Sequence, residues 1–479
     1  MRDRINLNRM VLTLLTLLLA WSLETSTGYG AQVDRKEAIA IADLWYAMEI
    51  NAEHTRMDPQ EKAARLSNIG SRDLLYLVSR DELRMVLPKK EKVLAYIVKY
   101  KPNGFVVVSG EDRIKPILVF NAEGEFSFDP PERNYLRRYL EIALIGRFEL
   151  LSKKLEDKIP VGVHANWAYL RAKVRESKNF ANASFGAGTG GRGTYVLWDT
   201  ASWWQPWPYN ETVVANNGNI PGIPTGCNAT AMAIKMRFHE WPPSGNSDHG
   251  YTDTVLYNNQ LYTFNHYVNF GDQTYDWSEM PTGNVTQSNL HVADLMYHSG
   301  VCVDMNYEIP SSNTFFNAPN FNKHFRYKGT TKVTSNHEPG LIESVVAGLP
   351  VHTGNAPHAM LTTGYRDSPW PYFFINPGFN GSGNDWYDLS ALPGGPSPIT
   401  ESYPYSAPQN YVYVREDYTG FENGYPQYPF NTLVEGNNAV PEGGKLWVRQ
   451  GTYEGNGNTP IVFSKAMEII PYWGPVIME

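Results

Sequence analysis

The sequence of 479 residues lacks the short motifs of several common enzyme classes. It contains no His-Glu-x-x-His zinc motif, no Gly-x-Ser-x-Gly nucleophile turn, no phosphate-binding glycine loop and no Cys-x-x-Cys pair. These absences remove the support for a zinc protease of that type, a serine hydrolase, a P-loop nucleotide enzyme and a dithiol redox enzyme. We therefore expect a chemistry that needs no metal and no cofactor.

The sequence also has no block of basic residues. Its 41 Lys and Arg residues are outnumbered by 49 Asp and Glu residues, which gives a net charge of −8 and a pI near 5.8. A surface that binds nucleic acid needs a concentration of positive charge. We therefore expect no nucleic acid among the partners of this chain.

Long apolar runs are missing except at the N-terminus. Three arginines precede an apolar run from Met10 to Trp21, and small and polar residues follow to Ala31. This is the pattern of a signal peptide over residues 1–31, and an uncleaved anchor is the alternative. The pattern predicts a bacterial protein that is secreted, periplasmic or held at the cell surface, without a membrane span after removal of the signal.

Cysteine is scarce, and one of the two cysteines has an unusual setting. Cys227 follows Gly226 and precedes a run of small and apolar residues that predicts a helix ending before Trp241. A thiol at the N-terminus of a helix has a lowered pKa, and its own N–H points to where an oxyanion forms. Cys227 is therefore a candidate nucleophile, and a buried structural cysteine is the alternative.

The second cysteine, Cys302, lies in an alternating apolar stretch, which favours a core position for its side chain. A disulfide between the two cysteines is the competing interpretation for an exported protein, and it would abolish the nucleophile. In that case the chain would be an exported structural protein.

A thiol nucleophile needs a histidine and a group that orients its ring. His358 opens a short apolar strand, and the next strand ends at Asn376. His358 follows Cys227 by about 130 residues, a spacing typical of papain-type enzymes. Two adjacent strands would bring the Asn376 amide to the imidazole. His352, on the preceding strand, is the rival, and a structural role is the alternative for either histidine.

An oxyanion donor is expected upstream of the nucleophile. Gln205 lies in a frame of tryptophan and proline, Trp203–Asn210, and its side-chain N–H is suited to complete an oxyanion hole. An aromatic surface loop with an incidental glutamine is the alternative.

These residues occur within a series of motifs that resembles the streptopain-type cysteine peptidases, secreted bacterial relatives of papain. The resemblance extends over about residues 33–390, and its N-terminal part is similar to the prosegment of that family. It implies Cys227 as the nucleophile, His358 as the acid and base, Gln205 as the oxyanion donor and Asn376 as the residue that orients the histidine. The motifs that carry it are Gly104–Gly110, Trp203–Asn210, Thr225–Ala231, Tyr275–Pro281, a helix at Val292–Tyr297 before a strand at Val303–Tyr307, Gly348–Val351, His358-Ala359 and Asn376.

The sequence departs from this family on both sides of the histidine. Ala356-Pro357 stands where the family usually has two glycines, and Pro377–Gly381 stands where it has a Trp-Gly-Trp-Gly-Gly segment. The tryptophan that shields the histidine is missing, although Phe379 keeps one aromatic ring nearby. The departures predict reduced activity, or a different side chain that orients His358. A catalytically inactive surface binding protein is the alternative function.

The composition changes along the chain and divides it into zones. The predicted fold class is α+β. We predict a signal peptide (1–31), an inhibitory prosegment (32–176), a flexible linker where maturation occurs (177–193), a two-layer papain-like domain (194–415) and a β-rich extension (416–479). The extension resembles one coil of a parallel β-helix, and one coil cannot bury its own face. The predicted function is a secreted cysteine endopeptidase made as a zymogen, with protein and peptide substrates and its own prosegment as an intramolecular inhibitor.

Overall fold

The chain forms two compact units, Met1–Ser184 and Phe185–Glu479, in a computed structural model. None of the helices within the described residues is long and apolar enough to cross a membrane. The predicted signal peptide lies outside the described residues, as does the predicted linker except Ser184. The described residues are 32–52, 57–78, 93–126, 140–141, 144–148, 151, 153–154, 157, 161–176, 184, 194–197, 200–332, 338–346, 348–355, 358–389, 399–404, 411–420, 422, 424, 429–455 and 457–479.

In the first unit, helix α1 and a four-stranded antiparallel sheet share a core. Asp34 caps α1 by accepting from the N–H groups of Lys36 and Glu37, which satisfies donors that a helix leaves open at its start. The central strands of the sheet, in the order β1-β2-β3-β4, are almost wholly buried. The elements are α1 (Arg35–Ile50), α2 (Pro59–Ser67), β1 (Arg72–Val78), β2 (Val93–Tyr100), β3 (Phe105–Ser109), β4 (Ile117–Asn121) and α3 (Ala165–Glu176).

The second unit begins with elements that carry most of the candidate site. They are β5 (Thr194–Val196), α4 (Glu211–Asn216), α5 (Cys227–His239), β6 (Asp248–Tyr257), β7 (Gln260–Asn269), α6 (Leu290–Cys302), α7 (Ala318–His324), β8 (Tyr327–Lys332), α8 (Glu338–Val346), β9 (Val351–Asn355), β10 (His358–Arg366), β11 (Tyr372–Asn376), β12 (Asp385–Tyr387) and β13 (Ile399–Pro404). Strands β12-β11-β10-β9-β13-β8 form a sheet in that order, and β5 pairs with β10. Strands β6 and β7 form a separate hairpin.

Helix α5 lies at the centre of this unit, between α6 and strand β10. Ten of its 13 residues are buried, so it has no wide polar face. The small and apolar residues after Cys227 allow this burial, with Met232 and Met236 in the same core as Leu295 of α6. A central helix packed on a sheet is the papain-like two-layer arrangement.

One predicted strand is wrong. Helix α6 continues to Cys302, and the chain then turns sharply, because Met305 N–H returns to the carbonyl of Gly300 and Asp304 has a left-handed φ of 52°. Residues 303–307 therefore form no strand; a single bridge joins Asn306 to Asn313. The Cys302 side chain is fully buried in the core, as predicted.

The C-terminal part of the second unit contains a three-stranded parallel sheet with its own small core. The order is β14-β15-β16, and both strand pairs are parallel. Parallel neighbours require a crossover, which α9 provides between the first two strands. The resemblance to a β-helix coil stays a prediction, as do the domain boundaries. The elements are β14 (Tyr411–Val414), α9 (Leu433–Ala439), β15 (Gly444–Tyr453) and β16 (Met467–Met478).

Candidate active site

Cys227 is the first residue of helix α5, directly after a turn at Gly226. Gly226 has φ of 87°, a conformation that side chains rarely adopt, and a Cβ atom there would lie 2.6 Å from the side chain of Met305. Glycine is therefore required by both the turn and the close packing. The predicted helix and its tight entry turn are confirmed.

The loop that carries Gln205 is hydrogen-bonded to this turn. The Thr225 N–H donates to the carbonyl oxygen of Gln205 at 3.1 Å, and Asn210 Nδ2 donates to the carbonyl oxygen of Ile223 at 2.7 Å. Gln205 itself is half-buried. The structure thus places the predicted oxyanion donor beside the loop that leads into the cysteine.

The other side of the cysteine meets the start of strand β10. The backbone N–H of Ala359 hydrogen-bonds to Cys227. Because Ala359 follows His358 directly, Cys227 lies at the first residues of this strand. The structure therefore brings together three residues that are far apart in the sequence: Gln205, Cys227 and His358.

A backbone carbonyl orients the His358 ring. Nε2 of His358 lies 2.8 Å from the carbonyl oxygen of Pro377. A carbonyl oxygen only accepts, so the proton of the neutral ring resides on Nε2 and Nδ1 keeps its lone pair. An imidazole in this tautomer is suited to accept a proton through Nδ1.

The predicted contact between Asn376 and His358 is replaced by other hydrogen bonds. Asn376 Nδ2 donates to the carbonyl oxygen of Ala201 at 2.9 Å, and Oδ1 accepts from the Gly378 N–H at 3.0 Å. In the antiparallel register Asn376 pairs with Leu361, three residues beyond the histidine. The amide therefore holds the loop that aims the Pro377 carbonyl. Sequence reasoning missed Pro377, because a carbonyl oxygen has no residue-type signature.

Phe379 covers the imidazole. Its ring stacks on that of His358 with centroids 4.7 Å apart and an interplanar angle of 22°, and both residues are buried. Gly378, with φ of 73°, lets this loop lie on helix α5, because a Cβ atom there would be 2.9 Å from Thr230. The remodelled loop thus keeps an aromatic shield over the histidine. The other departure, Ala356-Pro357, lies outside the described residues.

The rival histidine, His352, is a core residue. It is 1% exposed, its ring lies 4.3 Å from that of Phe316, and neither ring nitrogen has a hydrogen-bond partner among the described residues. Burial lowers the pKa of His352 to about 3. His358, whose neighbour Ala359 bonds to the cysteine, is therefore the better candidate.

Burial dominates the electrostatics of the cysteine and histidine. It raises the pKa of the Cys227 thiol, and hydrogen bonds from backbone N–H groups offset this only in part. Burial also lowers the pKa of His358 to about 4, against the smaller opposing effect of the Pro377 carbonyl. Desolvation of this half-buried thiol thus shifts its pKa in the direction opposite to the one expected from the helix terminus. Both shifts favour the neutral forms, the Cys227 thiol and the His358 imidazole.

Both cysteines are free. The alternative of a Cys227–Cys302 disulfide is therefore wrong, and with it the structural protein that depended on the bridge. Burial keeps the pKa of the Cys302 thiol well above its ordinary value, so this second thiol is a small apolar core residue rather than a second nucleophile.

Comparison with protein families agrees with this geometry. The model of the peptidase C10 family matches residues 203–387, a range that contains Gln205, Cys227, His358 and Asn376. Residues 203–387 are therefore similar to the peptidase C10 family. A second model, of the Spi protease inhibitor, matches residues 30–143 of the first unit. A segment similar to peptidase C10 thus follows a segment similar to a protease inhibitor in one chain.

The chain is similar to streptopain of Streptococcus pyogenes, with 29% identity over 235 residues, 46% of this chain and 51% of streptopain. The thiol protease/hemagglutinin PrtT of Porphyromonas gingivalis is 24% identical over 339 residues, 64% of this chain and 35% of that protein. The chain thus spans about half the length of streptopain. A solved fragment of Prevotella intermedia prointerpain A has 19% identity and a TM-score of 0.48, and the match covers 70% of this chain and 98% of the fragment.

Proposed function

We propose that this chain is a secreted cysteine endopeptidase made as a zymogen. The observation that carries the proposal is the convergence at Cys227: the Gln205 loop bonds to the turn before it, and Ala359, next to His358, bonds to the cysteine itself. The match to the peptidase C10 family supports the same chemistry. The Pro377 carbonyl orients the His358 ring, and the Phe379 ring shields it. Both roles were open from the sequence alone.

The reaction follows from the protonation states of the site. The Cys227 thiol passes its proton to Nδ1 of His358 as sulfur attacks the scissile carbonyl. The side chain of Gln205 and the N–H of Cys227 stabilise the resulting oxyanion. The tetrahedral intermediate collapses, the C–N bond breaks, and the imidazolium gives its proton to the leaving amine. Water then attacks the acyl-enzyme with His358 as the base, which releases the acid product and restores the thiol.

The neutral pair is consistent with a proton transfer that accompanies the attack of sulfur. Separation of charge between a thiolate and an imidazolium is costly in a buried site without a partner for each charge. The Pro377 carbonyl would accept a hydrogen bond from the Nε2–H of the imidazolium, and the start of helix α5 stabilises negative charge on sulfur. Asn376 acts here as a positioning residue, through the loop that carries Pro377.

The first unit would serve as the inhibitor of the second. Its match to the Spi protease inhibitor supports an inhibitory prosegment over residues 32–176. We place maturation in the segment 177–193, whose glycine-rich composition suits proteolysis. The N-terminal segment 1–31 would direct export, and the substrates would be proteins and peptides.

A comparison of two proteins tests the proposal. Residues 32–479 and the same protein with Cys227→Ala are incubated with casein under reducing conditions, and intact mass is followed over time. We expect only the unsubstituted protein to shorten at its N-terminus and to degrade casein. Absence of both changes, even after a second protease has cut within 177–193, would refute the proposal and favour the inactive binding protein.

A further inference from the structure

A basic cavity lies on the second unit, where helix α7 leads into strand β8 and faces the turn at residues 244–246. Its volume is about 510 Å³, which is within the range of ligand-binding cavities. Three cationic side chains line it, Lys323, Arg326 and Lys328, although the chain as a whole has a net charge of −8. Such a local concentration of positive charge attracts anions to one place on an otherwise acidic protein.

Hydrogen bonds to the facing turn hold the Arg326 guanidinium in place. Nε donates to the carbonyl oxygens of Ser244 and Gly245 at 3.0 and 3.2 Å, and Nη2 donates to that of Gly245 at 3.0 Å. The two walls are also joined by Asn246, whose Nδ2 donates to the carbonyl oxygen of Lys323 at 3.1 Å. Nη1 of Arg326 has no hydrogen-bond partner among the described residues. An ordered guanidinium with an open N–H group loses little conformational entropy when it binds a carboxylate.

Two of the three cations have no acidic partner. Within the described ranges, neither Lys323 nor Arg326 forms an ion pair with a carboxylate. The adjoining carboxylates are engaged elsewhere: Oδ1 of Asp304 lies 2.7 Å from Nε2 of His249, and Oδ2 of Asp248 accepts from a tyrosine hydroxyl at 3.0 Å. The positive charge of the cavity is therefore open to an external anion.

The wall of the cavity also holds a hydrogen-bond acceptor. Asn322 Nδ2 donates to the carbonyl oxygen of Gly329 at 2.9 Å, which fixes the orientation of the amide. Its Oδ1 is buried and has no hydrogen-bond partner in the part of the chain that the structure describes. A buried acceptor without a donor is unfavourable, and an N–H group of a ligand would satisfy it. An acidic peptide supplies both carboxylates and N–H groups, whereas a simple inorganic anion supplies no such donor.

The cavity is remote from the proposed nucleophile. Trp241, which follows helix α5, donates from Nε1 to the carbonyl oxygen of Arg326 at 2.9 Å. The ring of Tyr327 lies 5.8 Å from that of His239, the last residue of α5. Cys227 is the first residue of this helix, and its 13 residues span about 20 Å. The cavity therefore lies near the end of α5 that is opposite to the cysteine.

We propose that this cavity is an exosite, a second binding site that holds an acidic segment of a protein substrate about six or more residues from the scissile bond. Carboxylates would bind to Nη1 of Arg326 and Nζ of Lys323 through charge-assisted hydrogen bonds, which are stronger than neutral ones. Because the reacting groups are remote, such binding lowers KM and leaves kcat nearly unchanged. The inference rests on the proposed peptidase function for its consequence in cleavage, although not for its consequence in binding.

The binding test uses residues 32–479 with Cys227→Ala, so that no peptide is consumed. The probes are two labelled peptides that differ only in a run of glutamates or of glutamines. We expect the glutamate peptide to bind about tenfold more tightly at low salt, with a smaller difference at high salt. Lys323→Glu should remove this preference without loss of the fold, because the Nζ of Lys323 makes no hydrogen bond to a described residue.

A matched variant controls for the net charge. Lys445→Glu changes the charge of the protein by the same amount at a surface lysine of β15, and it should keep the preference for the glutamate peptide. Equal binding of the two peptides, or a preference that survives Lys323→Glu, overturns the inference. Dextran sulfate serves as a second probe, and its binding through Lys323 without a preference for the glutamate peptide would likewise overturn it.

Cleavage separates this inference from the proposed function. The processed enzyme is given two peptide substrates that share one scissile bond and differ in a distant run of glutamates or of glutamines. We expect a KM about tenfold lower for the glutamate substrate, a similar kcat, and loss of the difference in Lys323→Glu. Equal KM values overturn the inference. If the unsubstituted chain cleaves neither substrate but the binding that depends on Lys323 is present, the exosite stands and only the peptidase proposal fails.

Discussion

Replacement of Phe379 by alanine tests how the fold controls the acid–base group. Burial holds the pKa of His358 at about 4 rather than the ordinary 6.5, a difference that corresponds to about 3 kcal/mol against protonation. The Phe379 ring covers one face of this imidazole, with the centroids 4.7 Å apart. Opening that face to water should remove roughly a third to a half of the penalty, which raises the pKa of His358 by about one unit.

The consequence is a shift in the acid limb of the pH–rate profile. The mechanism needs His358 as a neutral base, so kcat/KM falls as the pH drops through the pKa of this residue. We expect the acid limb of Phe379→Ala to lie about one pH unit above that of the unsubstituted enzyme. The measurement is kcat/KM for one peptide at about ten pH values between about 3.5 and 8, which resolves both limbs of the profile. NMR titration of the His358 ring is an independent measurement of its pKa.

A matched variant separates burial from the loss of fold. Phe379→Leu keeps an apolar cover over the imidazole, and its acid limb should remain close to that of the unsubstituted enzyme. Phe379→Ala should also lower the free energy of unfolding, by up to about 3 kcal/mol for loss of a buried ring, which urea denaturation measures. Coincident acid limbs in Phe379→Ala and the unsubstituted enzyme would refute the assignment of the low pKa to burial under this ring.

Four further predictions follow from the structure. Gly226→Ala should abolish activity and lower the free energy of unfolding by about 1–3 kcal/mol in a urea titration, because the residue has a left-handed φ and would contact Met305; an undiminished kcat would contradict this. Asn376→Ala should lower kcat about tenfold or more with a smaller change in KM, since the loop that aims the histidine loses two hydrogen bonds; a change in KM alone would speak against a positioning role. His352→Leu should keep most of kcat/KM, whereas His358→Leu should lower it by a factor of about 10²–10⁴, and the reverse order would make His352 the base. Burial lowers the pKa of three histidines to about 4: His266, His298 and His358. Between about pH 6.5 and 4 these histidines bind a proton in the unfolded chain but stay neutral in the folded chain. The free energy of unfolding should therefore fall as the pH drops through this range, which thermal unfolding at several pH values measures.

Local elements of this protein were accessible from the sequence. The run of small and apolar residues after Cys227, ended by Trp241-Pro242-Pro243, predicts the central helix, which the structure has as Cys227–His239. Apolar runs likewise predict the strands that begin at His358 and end at Asn376. These features depend on the periodicity and the terminal residues of single segments, which a sequence displays directly.

The tertiary structure alone decided the details of the site. The register of β10 and β11 sets Asn376 opposite Leu361. As a result, the carbonyl oxygen of Pro377, and not the Asn376 amide, is the hydrogen-bond partner of the His358 imidazole. Both His352 and His358 lie on apolar strands, so the sequence does not separate their roles. Packing does, because His352 lies in the core whereas His358 lies beside the residue that bonds to Cys227. Burial reverses the expected shift of the thiol pKa at Cys227, because desolvation depends on atoms from distant segments, which a linear pattern of residues does not contain.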